Sequence, residues 1–408
     1  MRGFRKFRRI KPTLLGLVLC LCSPLAGAEK ASDQASAASR LSAVIEDFAA
    51  QEMENSGTPS LQIAIGSKGR VVFEGAYGWA DLENKVPATP KSRYRTASVS
   101  KWFTAIAAMK LVEAGKLDLD APIQRYCSSY PKKRWAITTR QLLTHTSGIR
   151  HYIDYEEKLA EASTDAERVI LERKKDRAQL STYTRYTDIE SSLTAFKSDP
   201  LNFKPGTQWQ YSSFGYRVLA CVMEGAAAKP FRSILRDLVF IPTLMPNTVE
   251  DDAWAIIPGR VSGYRLTRGA SLRRADLRDV SENLPAGGHL STATDLVLLA
   301  EAFRTGKLLP LETVKEMFTP AESLRGTPSW RDAIPSQEKY GYGLMFFPTE
   351  EHFRYGHSGR QAGGSAIVVT SPDQELSIAV LTNAKGWNGY IQFISVIERL
   401  FHHIYSRA

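Results

Sequence analysis

Three sets of residues have types and spacing that could support acyl transfer, which needs a nucleophile, a base within reach and donors for an oxyanion. The first is Ser98 with Lys101. Ser-x-x-Lys recurs at Ser129 to Lys132 and at Ser336 to Lys339, so the tetrapeptide alone says little. Pro131 lies inside the second copy and the third follows Pro335 in a polar stretch; only the first opens a long apolar run, Trp102, Phe103, Ala105, Ile106, Ala107, Ala108 and Met109. On such a helix a serine in the first turn and a lysine three residues on share one face. A helix apolar nearly all round is buried, and burial lowers an ammonium pKa until the amine can accept a proton. The free N–H groups at its N-terminus suit a developing negative charge. The alternative is an N-cap serine beside a snorkelling lysine.

Tyr211-Ser212-Ser213 is the second set, after the turn signal Lys204-Pro205-Gly206 and before a helical run through Tyr216, Leu219, Ala220 and Met223. A cation close by can lower a phenol pKa from about 10 by roughly 1 to 3 units, enough for a general base; a packed aromatic is the alternative. Gly356-His357-Ser358-Gly359, just ahead of a strand beginning near Ala366, is the third, and alone it is a loop. His145 and His151 flank a Ser-Gly turn and read as capping or packing residues, and Gly287-Gly288-His289 as a tight turn before a helix opened by Thr294-Asp295. The chain has no G-x-S-x-G elbow, no phosphate-cradling glycine loop, and no H-E-x-x-H or H-x-H-x-D pattern. No metal and no cofactor are therefore expected.

What would position these sets? Leu41, Val44, Ile45, Phe48 and Ala49 repeat at helical spacing and predict a helix near 40–54. Leu61 to Ile65 and Val71 to Tyr77, joined through Ser67-Lys68-Gly69, predict a hairpin; Ala366 to Thr370 and Leu376 to Thr382, around Ser371-Pro372-Asp373, predict another. An apolar helical stretch from Tyr390 to Tyr405 ends the pattern. Helix and hairpin at one end, hairpin and helix at the other, predict an α/β fold: one antiparallel sheet from both chain ends, flanked by helices, with a mostly helical lobe inserted and a cleft between. A charged stretch at about 155–197, centred on Lys174-Lys175-Asp176-Arg177, reads as a solvated helical insertion or a partner-binding lobe.

The 408 residues are 43% apolar and 24% charged, enough for a sizeable core and far from disordered or disulfide-scaffold composition. Of the formal surplus of ten positive charges, six come from Arg2, Arg5, Lys6, Arg8, Arg9 and Lys11, in a segment with no acid before Glu29. The remaining surplus is too mild to argue for nucleic acid. Those cations, the apolar run Leu14 to Leu21 and Ala26-Gly27-Ala28 predict a signal peptide over 1–28, cut after Ala28, and hence a periplasmic or secreted chain. The run is far short of the roughly 20 residues of a membrane span. Residues 29–39 read as a flexible leader and 40–408 as the folded domain. Cys127 and Cys221 are too few for a disulfide framework; whether they pair stays open.

The three sets stand in the order of the serine β-lactamase and penicillin-binding protein superfamily: S-x-x-K, Y-x-N or Y-x-S, then K/H-T/S-G. The chain resembles that superfamily over about residues 40–400. Leu142 to Ile149, reading LLTHTSGI, and Glu113 to Pro122, reading EAGKLDLDAP, add to the likeness. Gly148 to Tyr152, Asp199 to Leu201, Phe203 to Gly206 and Tyr211 to Tyr216 are similar to its mitochondrial β-lactamase-like branch and that branch's bacterial relatives.

The resemblance implies a β-lactamase/transpeptidase-like fold and a serine hydrolase acting on a small-molecule or peptide substrate. Ser98 would be the nucleophile, Lys101 would shuttle its proton and hold Tyr211 as phenolate, and Tyr211 would protonate the leaving group. The N–H groups of Ser98 and Arg360 would form the oxyanion hole, with Ser213, His357, Ser358 and Gly359 also binding substrate. Ser213 stands where many members have Asn, and His357-Ser358 replace Lys-Thr. A neutral imidazole is a weaker carboxylate anchor than an ammonium, which leaves esters, amides and peptides open beside β-lactams. A structural, oligomer-forming protein of the same fold, assembling through the 155–197 segment, is the second reading.

Overall fold

The computed structural model describes residues 24–153, 155–181, 183–266, 271–319, 340–347, 353–387 and 390–405. Residues 1–23 of the expected signal segment, the Ser336 to Lys339 tetrapeptide and Asp154 lie outside the described residues; residues 24–28, up to the expected cut after Ala28, are in the first turns of the first helix.

Helix α1 runs from Pro24 to Ser56. It takes in the stretch expected to be a flexible leader at 29–39: that stretch carries no apolar stripe, but alanines, Glu29 and Lys30 are strong helix formers without one. Strands β1 (Ser60–Ser67) and β2 (Arg70–Asp81) follow. Ser67 pairs with Arg70, and Lys68 and Gly69 between them both have positive φ, 52° and 78°, the backbone of a two-residue turn that matches strand twist. After β3 (Val86–Pro87), the buried helix α2 (Ser100–Glu113) begins the inserted region, with α3 (Tyr155–Glu161) and α4 (Asp165–Ser181) in the charged stretch and α5 (Ser213–Ala227) behind Tyr211. Short strands β4 (Tyr264–Leu266) and β5 (Leu272–Arg274) pair antiparallel, and helix α6 (Ala293–Arg304) returns the chain to the sheet. Strands β6 (Met345–Phe346), β7 (Tyr355–Gln361), β8 (Gly364–Ser371), β9 (Leu376–Thr382) and β10 (Ala384–Lys385), then helix α7 (Tyr390–Tyr405), complete it.

The main sheet has the order β3-β2-β1-β9-β8-β7-β6, its main strand pairs antiparallel, and the two chain ends meet where β1 pairs with β9. Period-two alternation sends Leu61, Ile63 and Ile65 to one face, under α1 and α7 with Phe393, Ile394 and Ile397. Ala64, Ala366, Val368 and Ala379 face the other way, toward the cluster that includes α2, α5 and α6. Every residue of β1, β8 and β9 is buried because helices cover both faces. Cys127 and Cys221 form a disulfide across 94 residues of sequence, tying α5 to the connection between α2 and α3. No helix among the described residues is long and apolar enough to cross a membrane.

Candidate active site

Ser98 lies in a single 3-10 turn, Ala97–Val99, that leads into α2. Neither that turn nor α2 has a side-chain cap, so the N-cap alternative does not describe Ser98. Ala97 holds φ 45°, a conformation that favours glycine, and so turns Ser98 toward a cleft of about 1020 Å³. Gly359 on β7 makes this possible. A Cβ there would sit 2.5 Å from the Ser98 nitrogen and against the Thr96 carbonyl, so only glycine lets the strand pass that close.

From Ser100 to Met109 every residue of α2 is buried, and Lys101 has no exposed surface at all. Its Nζ lies 3.2 Å from Ser98 Oγ, 3.1 Å from Ser213 Oγ and 2.9 Å from the Ala286 carbonyl. Burial pushes its pKa well below the ordinary lysine value, and the Arg217 guanidinium pushes the same way. Tyr211 presents its ring 4.8 Å from Lys101 Nζ and hydrogen-bonds through its hydroxyl to Ser98. Here the expectation of a phenolate needs correction. Burial raises the Tyr211 pKa above the ordinary phenol value, and the hydrogen bond to Ser98 offsets only part of that rise. Burial thus disfavours the charged form of both groups.

Two histidines read as packing residues hold the Tyr211 segment in place. His145 Nδ1 accepts the N–H of Ser212 and His151 Nδ1 accepts that of Ser213, each at 3.1 Å. The Thr144 to Gly148 loop adds the His145 carbonyl, which accepts from Gln210 N–H, and the Thr146 carbonyl, which accepts from Gly206 N–H. Ser212 then caps α5 by accepting from Gly215 N–H at 3.0 Å. The proton of His151 is thereby left on Nε2 of a ring that lines the cleft.

His357 and Ser358 do not line the cleft, whereas Ser213 and Arg360 do. The His357 Nδ1 is 2.6 Å from the Ser358 carbonyl, which can only accept, so Nδ1 carries the proton; Nε2 then accepts from Tyr340 Oη at 3.0 Å. Both nitrogens are spent and burial holds the ring's pKa down to about 3. The expected donor to substrate is instead a neutral brace for the aromatic cluster of Tyr340, Tyr211 and His145. Ser358 points its hydroxyl at Met345 Sδ, 3.5 Å away. The polarity of a His-Ser pair drew attention to these residues, but strand alternation and Tyr340, adjoining residues outside the described set, decide where they face. Of the other tetrapeptides, Ser129 sits beside the disulfide and Lys132 is exposed. Among the described residues no group of three or more His, Cys, Asp or Glu could hold a metal ion.

The chain resembles known proteins in both sequence and fold. The beta-lactamase family profile matches residues 45–394. The serine beta-lactamase-like protein LACTB, mitochondrial, of Mus musculus is 30% identical over 402 residues, covering 79% of this chain and 71% of the relative. The octameric penicillin-binding protein homologue from Pyrococcus abyssi superposes with a TM-score of 0.68 at 23% identity, over 89% of this chain and 80% of that one. The D-amino acid amidase from Ochrobactrum anthropi SV3 gives 0.68 at 21% identity, over 90% and 100%. With profile, relative and fold in agreement, the chain belongs to the beta-lactamase family.

Proposed function

We propose that the protein is a serine hydrolase that forms an acyl-enzyme at Ser98, with uncharged Lys101 as the base and Tyr211 as the proton relay. The observation that carries this reading is the set of three contacts at Lys101 Nζ. A neutral amine has two N–H groups and one lone pair. The Ala286 carbonyl takes one N–H because it cannot donate, and Ser213 Oγ can take the other. The lone pair is then left for the Ser98 hydroxyl. As Ser98 Oγ bonds to the substrate carbonyl carbon, its proton passes to Lys101. When the bond from that carbon to the leaving group breaks, Tyr211, hydrogen-bonded to Ser98, hands its proton to the leaving group and is reprotonated from Lys101, which restores both side chains.

In this reading the N–H groups of Ser98 and Arg360 receive the oxyanion, the Gly359 approach having brought strand and turn together. Removing one such donor typically costs about 3 to 4 kcal/mol of barrier. Spent donors at His357 leave little to bind a β-lactam carboxylate there, which favours esters, amides or peptides. The Cys127–Cys221 disulfide supports the proposal that the chain is exported, since such bonds persist in oxidising compartments. The test is hydrolysis of a nitrophenyl ester, an amino-acid amide and a cephalosporin by the purified protein and by Ser98→Ala. Turnover of at least one, lost in Ser98→Ala, is the expected result; equal rates in both proteins would refute the proposal.

A further inference from the structure

The wall of the cleft beyond Ser98 is charged in one sense. Nine Lys and Arg residues line it against two acids, Asp276 and Glu282. Each acid is shared by two guanidiniums. Asp276 faces Arg265 at 3.7 Å and Arg273 at 3.2 Å, and Glu282 faces Arg217 at 3.1 Å and Arg278 at 3.5 Å. Each cluster therefore keeps one positive charge in excess. Lys174 of α4 lines the same cleft, so the charged insertion is part of the cleft wall. The chain's overall surplus is modest, whereas the surplus in this cleft is concentrated.

Building on the hydrolase reading, we propose that the cleft selects substrates carrying at least two carboxylates. One is held at the Arg265–Arg273 cluster and another by the Arg217–Arg278 cluster or Lys174, while the scissile carbonyl sits at Ser98. The side chains of Arg273 and Arg265 are 51% and 41% exposed, so they are reachable by a ligand, and their bonds to an equally exposed Asp276 are weak enough to exchange for a substrate carboxylate. A concave wall of one charge also focuses the field and speeds the encounter with an anion.

Two fluorophosphonate probes that differ only in a Glu-Glu or a Gln-Gln tail test this. In each, Ser98 Oγ forms a bond to phosphorus as fluoride leaves, so labelling reports the nucleophile irrespective of the natural bond cleaved. The Glu-Glu probe should label Ser98 on the order of tenfold faster at low salt. That ratio should shrink at about 0.5 M salt, where screening acts over a few ångströms. It should also fall in Arg273→Gln and in Arg265→Gln, each checked for a native melting transition. Equal or faster labelling by the Gln-Gln probe would overturn the charge proposal and leave the hydrolase reading standing. Labelling of folded protein by neither probe would overturn both.

Discussion

Two cationic regions border the same cleft and their chemistry is opposite. Behind Ser98, Lys101 is fully enclosed by α2, α5 and the Ala286 turn, and enclosure lowers its pKa. At its mouth Arg265, Arg273 and Lys174 stand where water reaches them. Side chains of one sign thus become a proton acceptor in one place and an anion attractor in the other, and solvent access makes the difference. The histidines follow the same rule: His151, His289 and His357 are each held near pKa 3 by burial, and all four histidines around the site are depressed. The catalytic floor is therefore close to electrically neutral, so a proton taken from Ser98 creates charge where the protein has left room for it.

Replacing the buried amine should break the contrast most severely. Lys101→Met keeps the volume and removes the base, and turnover should fall by about 10³-fold, in line with the general-base contribution. A rate within tenfold of wild type would mean another group takes the proton. Next is Gly359→Ala: the added methyl meets the Ser98 backbone, so stability should drop by about 1 to 3 kcal/mol in urea unfolding, with activity falling at least as steeply. An unchanged protein would show that strand and turn can separate.

Acid should sharpen the contrast with a smaller effect. Unfolded histidines take up protons near pH 6.5, whereas His151, His289 and His357 do so near pH 3 in the fold. Between those values the unfolded chain binds more protons, so stability is fully present above about pH 7 and declines as the pH falls through this window. Urea midpoints at pH 7, 5 and 4 should decrease in that order; a flat series would show that the floor histidines are not held neutral.

Much of this was legible in the sequence because it is written locally. Alternation marked both hairpins, an all-apolar helix announced that Lys101 is buried, and motif order joined Ser98 to Tyr211. What escaped depended on distant segments meeting. Nothing near His145 or His151 says that their Nδ1 atoms accept from Ser212 and Ser213, 67 and 62 residues away. The tautomer of His357 is set by its neighbour's carbonyl and by Tyr340, and the cationic mouth gathers residues from α4, β4, β5 and β10 that are scattered along the chain. The pKa directions run against the expected phenolate for a related reason: the burial that lowers the Lys101 pKa also raises that of Tyr211.

The central claim is that Lys101 is an uncharged amine at neutral pH. Titration of the lysine ε-carbons by ¹³C NMR, with the Lys101 resonance assigned by its loss in Lys101→Arg, measures that directly. The account predicts one ε-carbon that titrates well below the cluster of surface lysines. A Lys101 resonance that titrates with the others, in the ordinary range near 10.4, would contradict it.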